Sequence, residues 1–570
     1  MTDVLIMARE VGEVSIDGDL PPLFERIYAA RGIRSVAELE LSLRNLLPPD
    51  ELNQVHPAAE RVQHASVNQE RILVVGDFDA DGATSVALAL SLLRAMGADD
   101  VDFLVPNRFE FGYGLSPEIV RLAADLQPAL LITVDNGVSS VDGVALANTL
   151  GIDVIVTDHH LPGAELPAAF AIVNPNLPGC KFPSKAMAGV GVIYYLLMVV
   201  RAKLREDGWF AERVVPNLAD WLDLVALGTV ADVVPLDHNN RILVHQGLKR
   251  MRAGRCRPGV QALCSVARRQ LRKLTAQDLG FALGPRLNAA GRLDDMAIGI
   301  RCLLAEDLPT ARGLATALDE LNRARREIEQ EMVSAAELIV SAQNLATDDR
   351  FGVCVYEPGW HQGVVGIVAG RLREKIHRPV IAFAETGDLA PDELKGSARS
   401  LPGLHVRDVL DAIASRFPGL LVRFGGHAMA AGMSIKRVHY QRFCKAFDDE
   451  VRRVFPREAL EHVILTDGGL CEDDLCLAMA ERLENGGPWG QGFPEPLFHD
   501  KFTLVTQRVV GEHHLKLVLK RGERLFDAIA FRQPPLGEAT LVDAVYRLNE
   551  NDYGEIPTLQ LVVEHLSVLA

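Results

Sequence analysis

Three short apolar runs in the first third of the chain each stop at acidic or imidazole side chains. They occupy residues 72–82, 130–137 and 154–160, and each begins with β-branched and aliphatic residues. Apolar runs of this length that end at turn residues are typical of buried strands in a parallel sheet. Open α/β sheets bind ligands at the carboxyl ends of their strands. The pattern therefore predicts that the polar ends of all three runs meet at one edge of a sheet.

Strands alternate with amphipathic segments from about residue 70 to about residue 300, which predicts a parallel sheet with crossover helices. A second α/β unit begins at Phe351. After about residue 460 the pattern changes to short strands separated by turns, and five of these strands lie between residues 502 and 563. Five short strands fit a small barrel of the OB type, which often binds nucleic acids. The predicted fold class is α/β in two lobes, followed by an all-β, OB-like barrel.

Residues 311–343 contain no proline and carry leucine, isoleucine and methionine near helical spacing, with charges between them. This pattern predicts one long helix that connects the two lobes, although two packed helices would also fit it. The predicted domains are an N-terminal helical lead-in (1–65), a parallel-sheet catalytic lobe (66–305), the connecting helix (306–345), a smaller α/β lobe (346–455) and the barrel (456–570).

The composition narrows the class of protein. A chain of 570 residues is too long for one core, and 48% hydrophobic with 24% charged residues is typical of globular domains. The N-terminus has no basic leader, and no uncharged apolar run reaches the roughly 18–20 residues that span a bilayer. We therefore expect a cytoplasmic protein without a membrane partner. The eight cysteines include no Cys-x-x-Cys pair, which argues against a zinc ribbon and a disulfide framework.

The formal net charge of −17 argues against a nucleic-acid partner if only the sum is considered. The distribution of charge argues differently, because residues 249–273 contain nine lysines and arginines and no acid. This segment is either a solvated helix face or a wall that binds a polyanion. The complete absence of Asp and Glu from it, in an acidic protein, favours the second interpretation.

Carboxylates gather at the ends of the first two runs. Asp77, Asp79 and Asp81 alternate, which directs them to one side of an extended segment, and Gly82 then opens a helix. Alone, this arrangement could be a helix N-cap with solvated neighbours. Asp135 brings a further carboxylate to the same sheet edge. Because buried carboxylates are very costly unless a cation compensates them, the two runs together predict a divalent metal site.

The third run adds His159 to the acids, and Asp232 interrupts the otherwise apolar segment 227–236. An imidazole among carboxylates favours Mn²⁺ or Mg²⁺ over Ca²⁺. Two such ions about 3.5–4 Å apart, bridged by a carboxylate, would promote in-line displacement at phosphorus, so we expect phosphoester hydrolysis. His160 would position the phosphate or donate to it; ordinary packing is the alternative.

These motifs resemble, in order along the chain, those of the DHH phosphoesterase superfamily. The catalytic part of the resemblance is carried by residues 77–82, 134–137, 158–160 and 228–232. Four further segments are similar to those of single-strand-specific 5′→3′ DNA exonucleases in this superfamily: 284–292, 359–367, 396–400 and 425–428. The resemblance covers nearly the whole chain and implies that the second lobe is of the DHHA1 type.

The resemblance also implies roles for the acids and histidines. The metal ligands would be Asp79, Asp81, Asp135, His159 and Asp232, with Asp77 close enough to assist. Asp135 would bridge the two ions. Asp158 would orient its neighbouring histidine by hydrogen bonding, as groups behind metal ligands do. Together with the five ligands, Asp158 and His160 are the implied catalytic residues.

Residues implied in substrate binding are Arg108, Tyr113, Arg286, Asn288, Arg292, His361, Ser397, Arg399 and His427. The segments around Arg286 and Arg399 would bind phosphates, including the 5′-terminal one, because a planar guanidinium matches phosphate oxygens. Arg108 would hold the DNA backbone, and Tyr113 would stack on a base. The alternatives are a structural ion pair for Arg286 and ordinary packing for Tyr113 and the two histidines.

The implied activity is a metal-dependent, single-stranded-DNA-specific 5′→3′ exonuclease with two Mn²⁺ or Mg²⁺ ions and no nucleotide cofactor. It would act in DNA recombination and repair, beside a single-strand-binding protein and a RecQ-type helicase. One alternative is a small-substrate phosphodiesterase or pyrophosphatase of the same superfamily, which the barrel and the basic segment disfavour. Another is a non-catalytic DNA-binding scaffold of this fold, which would have lost acids that are all present here.

Overall fold

The structure is a computed structural model that describes residues 4–12, 16–106, 114–345, 349–386, 390–511, 513–552 and 556–569. The chain divides into two compact units. One consists of Met1–Ile6 and Glu320–Ile464, and the other of Met7–Asp319 and Leu465–Ala570. The second unit contains the parallel sheet and the barrel.

The parallel sheet has five strands in the order β3-β2-β4-β5-β6, and every pairing is parallel. Their bounds are β2 Ile72–Val75, β3 Val101–Leu104, β4 Leu130–Val134, β5 Asp153–Thr157 and β6 Ala171–Val173. All residues of β2 and β4 are buried, as expected for central strands that have helices on both faces. The three strands predicted from the apolar runs are therefore confirmed as β2, β4 and β5.

Helices cover the sheet and fill the rest of this lobe. They are α1 Pro22–Ala29, α2 Val55–Val67, α3 Ala80–Ala95, α4 Pro117–Asp125, α5 Val141–Thr149, α6 Gly189–Glu206, α7 Leu222–Ala231, α8 His238–Arg252, α9 Pro258–Val266, α10 Ala276–Asp278, α11 Gly284–Leu293 and α12 Ala297–Leu304. A π-helical turn, Leu279–Leu283, runs directly into α11. Helix α3 is buried on almost every side, which explains why its sequence is apolar all round.

The segment predicted as a helical lead-in also contains a strand. β1, Val4–Ala8, forms a two-stranded sheet with β12, His462–Thr466. The lead-in is fastened to the segment before the barrel by a buried ion pair, in which Arg31 Nη1 lies 2.7 Å from Asp467 Oδ1. The rings of Tyr28 and Trp489 stack beside it with centroids 6.1 Å apart.

Helix α13, Leu308–Ala342, is one continuous helix of 35 residues. The prediction of one long helix, not two packed ones, is confirmed. The division between the two compact units falls inside it, after Asp319.

The other unit is built on a mixed sheet in the order β10-β11-β9-β8-β7, in which only β7 and β8 are parallel. Its elements are β7 Val353–Tyr356, α14 Val365–Ile376, β8 Val380–Glu385, β9 Glu393–Arg399, α15 Val406–Arg416, β10 Arg423–Gly426, β11 Ala430–Lys436 and α16 Tyr440–Val454. Phe383, Phe443 and Phe447 fill the core between the sheet and α16. The sequence did not identify β9 as a strand.

The C-terminal barrel is closed, in the order β13-β14-β15-β17-β16. After helix α17, Leu477–Asn485, its strands are β13 Phe498–Val510, β14 His514–Arg521, β15 Arg524–Ala530, β16 Leu541–Asn551 and β17 Thr558–Val568. All five predicted strands are thus present. Among the residues described, no helix is long and apolar enough to cross a membrane.

Candidate metal centre

Acids and histidines from three strand ends and two helices converge at the carboxyl edge of the parallel sheet. Three sets of their ligand atoms each lie within 4.8 Å of one another: Asp77, Asp79 and Asp135; Asp81, His159 and Asp232; and Asp135, His159 and His160. These sets contain all six residues that the sequence assigned to metal binding, together with His160. The assignment of individual ligands stays a prediction.

Asp81 is held by the start of helix α6. Its carboxylate accepts hydrogen bonds from Gly189 N at 2.6 Å and from Val190 N at 2.9 Å. Burial and the adjacent charge of Asp79 nevertheless raise the pKa of Asp81 to about 7, because the two N–H donors offset only part of the desolvation. A cation beside this carboxylate would favour its ionised form.

Asp135 lies at the end of β4 with a φ of 62°, in the left-handed region that Asp tolerates better than most residues. It is buried, and burial followed by the charges of Asp81, Asp79, Asp232 and Asp77 raises its pKa well above the ordinary value. Among the carboxylates of the three ligand sets, Asp135 alone belongs to two of them.

Asp232 directly follows the last residue of helix α7, so this acid comes from the end of a helix and not from the end of a strand. Its Oδ2 lies 3.5 Å from His159 Nε2, which lies 3.1 Å from Asp135 Oδ1. This oxygen is buried and accepts no hydrogen bond from the described residues. Burial and the charges of Asp81, Asp79 and Asp77 raise the pKa of Asp232 well above its usual value.

Asp158 behaves differently from the other acids. It accepts hydrogen bonds from Val138 N, from the backbone N–H groups of both following residues, and from His160 Nδ1 at 2.7 Å. Burial alone would raise its pKa, but the bond to His160 and the charges of the two histidines leave it below the ordinary value. In return, Asp158 outweighs the effect of burial on His160 and raises the pKa of that imidazole. Asp158 thus holds the imidazole of His160 and the backbone N–H groups of both histidines, and its role in orienting a metal-binding histidine stays a prediction.

This donor set fits divalent cations. It combines several buried carboxylates with one imidazole, which is the chemistry of Mn²⁺ and Mg²⁺ sites. Burial, followed by repulsion between neighbouring acids, raises the pKa values of three of the carboxyl groups. Asp232 Oδ2 accepts no hydrogen bond from any described residue. A cation among these oxygens would offset the repulsion between the carboxylates and would give Asp232 Oδ2 an interaction partner.

Three residues that support the centre were not identified from the sequence. A methyl group on Gly189 would lie 2.6 Å from Cβ of Asp135, so only glycine allows α6 to approach this closely. Asn174 Nδ2 donates to the carbonyl oxygen of His160, and Asn176 Nδ2 donates to that of His159. The start of an apolar helix at Gly189 was visible in the sequence, but its contact with Asp135 was not.

The predicted substrate residues of this lobe have varied surroundings. Arg108 and Tyr113 lie outside the described residues. Arg286 is buried, with Nη2 2.8 Å from Asp319 Oδ1 and Nη1 donating to Ala282 O, which matches the structural alternative considered for it. Asn288 Oδ1 accepts a hydrogen bond of 2.7 Å from Ala80 N, so it holds the acidic loop. Arg292, four residues further along α11, is partly buried.

In the other unit, Ser397 and Arg399 lie on β9. Arg399 Nη1 donates to Ser397 Oγ at 2.9 Å and to Ala398 O at 2.8 Å. Burial lowers the pKa of Arg399, and the charge of Arg373 lowers it further. Within the described ranges Arg399 forms no ion pair with an acid. A methyl group on Gly366, near the start of α14, would lie 2.8 Å from its Nη2, so the helix approaches the guanidinium closely.

The two remaining predicted residues, His361 and His427, lie in loops of the same unit. His361 Nδ1 accepts a hydrogen bond from Gly363 N at 3.1 Å. His427 is exposed, and its backbone N–H donates to Ala430 O across the turn between β10 and β11. Their contact with substrate stays a prediction.

Four of the nine cations in the basic segment 249–273 form ion pairs with acids of the protein itself. Arg250 and Arg257 pair with Asp220 and Asp223, while Arg252 Nε donates to Leu274 O at 2.7 Å. Arg269 pairs with Asp278, and Lys273 pairs with Glu550 and Asp552 of the barrel. The other four cations, Lys249, Arg255, Arg268 and Arg272, are exposed without an ion pair to any described residue. A polyanion-binding wall is therefore smaller than the sequence suggested, because the neutralising acids lie outside the segment.

Comparison with known proteins places these features in a family. Three family models match successive parts of the chain: the DHH family N-terminal domain at residues 71–229, the DHHA1 domain at 348–453 and the RecJ OB domain at 466–565. The first model includes the strand ends with their acids, and the last includes the closed barrel.

Two curated relatives are similar over almost their whole length. The single-stranded-DNA-specific exonuclease RecJ of Dickeya dadantii is 53% identical over 98% of both chains, and that of Escherichia coli is 50% identical over 99% of both. The crystal structure of RecJ from Thermus thermophilus in complex with Mn²⁺ matches with a TM-score of 0.79 and 30% identity, covering 99% of this chain and 79% of that one. The corresponding complex with Mg²⁺ gives a TM-score of 0.75 at 28% identity, with 99% and 78% coverage. With half of its residues identical to full-length relatives and all three domains in the same order, the chain belongs to the RecJ family of DHH proteins.

Proposed function

We propose that this chain is a single-stranded-DNA-specific exonuclease that hydrolyses phosphodiester bonds from the 5′ end toward the 3′ end, using two Mn²⁺ or Mg²⁺ ions. The observation that carries the proposal is the convergence of five carboxylates and two imidazoles at one sheet edge, in a chain whose relatives have this activity by name. Asp77, Asp79, Asp81, Asp135, His159 and Asp232 would hold the ions.

The chemistry follows from this donor set. When bound, two divalent ions lower the pKa of a bound water and neutralise the charge that develops at phosphorus. Asp135 would serve both ions, since it is the one carboxylate that belongs to two of the three ligand sets. Asp158 binds Nδ1 of His160 and raises the pKa of this imidazole, which favours the doubly protonated ring whose Nε2–H can donate to a phosphate oxygen.

The Ser397 and Arg399 pair supports a phosphate site on β9. A partly buried guanidinium without an acidic partner has unused charge, and a phosphate would neutralise it with short, charge-assisted hydrogen bonds. We assign this site to the 5′-terminal phosphate. Arg108, Tyr113, Arg286, Asn288, Arg292, His361 and His427 remain proposed substrate contacts, with Arg286 and Asn288 serving mainly to hold the centre.

The cellular setting is part of the proposal. A cytoplasmic enzyme of this kind would act in DNA recombination and repair, and a single-strand-binding protein and a RecQ-type helicase would provide its substrate. The barrel argues against a dedicated small-molecule phosphodiesterase, since a closed five-stranded barrel of this type serves oligonucleotide binding. The presence of every acid argues against a non-catalytic scaffold.

A degradation assay tests the proposal. An end-labelled single strand carrying a 5′-phosphate is compared with the same strand carrying a 3′-phosphate, with its duplex and with a dinucleotide, each in Mn²⁺, Mg²⁺ and chelator. We expect metal-dependent loss of the 5′-phosphorylated strand, with mononucleotides released first from its 5′ end. Equal use of the two phosphorylated strands would contradict the terminal-phosphate site, and preference for the dinucleotide would contradict the substrate class.

A further inference from the structure

One exposed aromatic side chain of the catalytic lobe lies on a turn that packs against the end of α7, just before Asp232. Phe281 lies in the π-helical turn, and 79% of its surface is accessible. Single exposed apolar residues are common on proteins and need no function by themselves. Phe281 differs from them in its surroundings, because π-helical turns are rare and often occur at functional sites.

The π-helical turn is tied to the acids at two points. A methyl group on Gly284, just after the turn, would lie 3.0 Å from Cβ of Ala231, the residue before Asp232. Further along α11, a methyl group on Gly291 would lie 1.8 Å from the carbonyl oxygen of Phe78, in the acidic loop. The turn and α11 therefore run alongside the end of α7, which precedes Asp232, and the loop that carries Asp77 and Asp79.

The packing of α11 against the acidic loop indicates roughly how far Phe281 lies from the acids. Phe281 precedes Asn288, which holds Ala80 N, by seven residues, or about 10 Å along a helix. At about 3.4 Å or more per nucleotide, this separation corresponds to about three nucleotides or fewer from a phosphate bound among the acids.

The residue after Asp232 provides a second, independent observation. Val233 has a φ of 62°, and 63% of its surface is exposed. A β-branched residue in the left-handed region is strained, and such strain persists mainly where the surroundings enforce it at functional sites. Two exposed apolar side chains thus flank the end of α7, where a fully polar surface would cost less.

We propose that Phe281 stacks on an unpaired base of the DNA strand and that Val233 extends this apolar contact next to Asp232. Every base offers a flat π-face, so the contact would not depend on sequence. Bases within a duplex already stack on their neighbours and cannot offer that face to a side chain. Phe281 would therefore help the enzyme to select single strands. This inference rests on the proposed function and adds a specificity residue to the same site.

Binding measured in chelator tests the proposal without hydrolysis. A 5′-phosphorylated single strand is titrated against the full-length protein, and the same strand is prepared with one abasic site at each of the first eight positions. We expect Phe281→Ala to weaken binding of the intact strand about tenfold. For the unaltered protein, an abasic site at one or two of the positions should weaken binding by the same factor of about ten. Phe281→Ala should bind those abasic strands no more weakly than it binds the intact strand.

Two variants and one salt series serve as controls. Phe281→Trp should keep the affinity, and Phe170→Ala, which removes another exposed phenylalanine of this lobe, should not change it. Because stacking involves no phosphate, the slope of log Kd against log salt should be the same for Phe281→Ala and the unaltered protein.

The outcomes separate this inference from the proposed function. If Phe281→Ala binds and degrades single strands normally, or if its loss of affinity is the same for every abasic strand, the base contact is wrong while the exonuclease function stands; a docking surface for a protein partner would give the first result. If the unaltered protein neither binds nor degrades single strands, the proposed function itself fails.

Discussion

The parallel sheet and the mixed sheet each hold partly or fully buried charged groups, negative in the first and positive in the second. At the carboxyl edge of the parallel sheet, carboxylates are gathered until three of them have raised pKa values. On β9 of the mixed sheet, Arg399 is partly buried, and among the described residues only Ser397 Oγ and Ala398 O accept its hydrogen bonds. Each place concentrates one sign of charge at a cost to folding. In the proposed enzyme, a metal ion would offset the charge in the first place and a phosphate would offset it in the second.

The largest effect is expected where the acids interact most. Asp135→Asn keeps the shape and the left-handed backbone of the residue but removes the charge. Hydrolysis of a single strand should fall by at least about a thousandfold, because the clamp for the reacting phosphate is lost. Binding of the strand in chelator should stay within about twofold. Asp102→Asn, an exposed acid on β3, is the matched control and should retain full activity. Substantial cleavage by Asp135→Asn would contradict the metal centre.

Neutralising Arg399 examines the other side of the comparison. Arg399→Gln should lower kcat/KM for a 5′-phosphorylated strand by about 10–100-fold, the value of a hydrogen bond to a charged group. For a strand with a 5′-hydroxyl, the same substitution should lower kcat/KM much less. Arg407→Gln changes an exposed arginine in the same unit and should leave the preference for a 5′-phosphate intact. An equal loss of kcat/KM on the 5′-phosphorylated strand and on the 5′-hydroxyl strand would show that Arg399 does not bind the terminal phosphate.

The backbone at Gly189 packs closely against Asp135, and a single added methyl group tests how much this contact matters. Gly189→Ala would place its Cβ against Asp135 and should lower the free energy of unfolding by about 1–3 kcal/mol, together with Mn²⁺ affinity. Gly191→Ala is the control in the same helix, since its methyl group would meet only Met187 at 3.6 Å. Chemical denaturation and calorimetric metal titration measure the two effects. Equal behaviour of the two variants would show that α6 can shift.

The smallest effect concerns pH. Asp81 has a pKa of about 7 when folded and about 3.8 when unfolded, so the metal-free folded state binds more protons between these values. Stability without metal should therefore fall as pH rises from about 4 to about 7, lowering Tm by a few degrees. Mn²⁺ should restore more stability at higher pH, because it binds the deprotonated carboxylates. Asp81→Asn should weaken the pH dependence of Tm, and an unchanged profile would argue against the raised pKa.

Much of the parallel sheet and its acids could be predicted from sequence because both follow from one local pattern. An apolar strand that ends at Asp or His places that side chain at a sheet edge, which is how Asp77, Asp135 and Asp158 were recognised. Asp232 was recognised only as an acid in an apolar segment, and the structure shows that it comes from the end of a helix.

The rest depends on contacts between distant parts of the chain. Gly189 lies 108 residues from Asp81, and nothing local predicts their hydrogen bond. Arg286 could not be separated from the phosphate contacts, since its partner Asp319 lies on another helix. Arg399 was recognised through its motif, but not as part of a strand, because β9 has small and charged residues on the positions that a strand pattern needs.

The buried pair of Arg31 and Asp467 has a consequence for how the protein is made. The two residues are separated by 436 positions, and the side chains are 1% and 0% exposed. Because synthesis starts at the N-terminus, Arg31 emerges from the ribosome long before Asp467 exists. The unit that contains the metal centre can therefore form this ion pair only after residue 467 of the 570 has been translated. A chain that ends before Asp467 would carry the acids of the metal centre but would leave Arg31 without this partner.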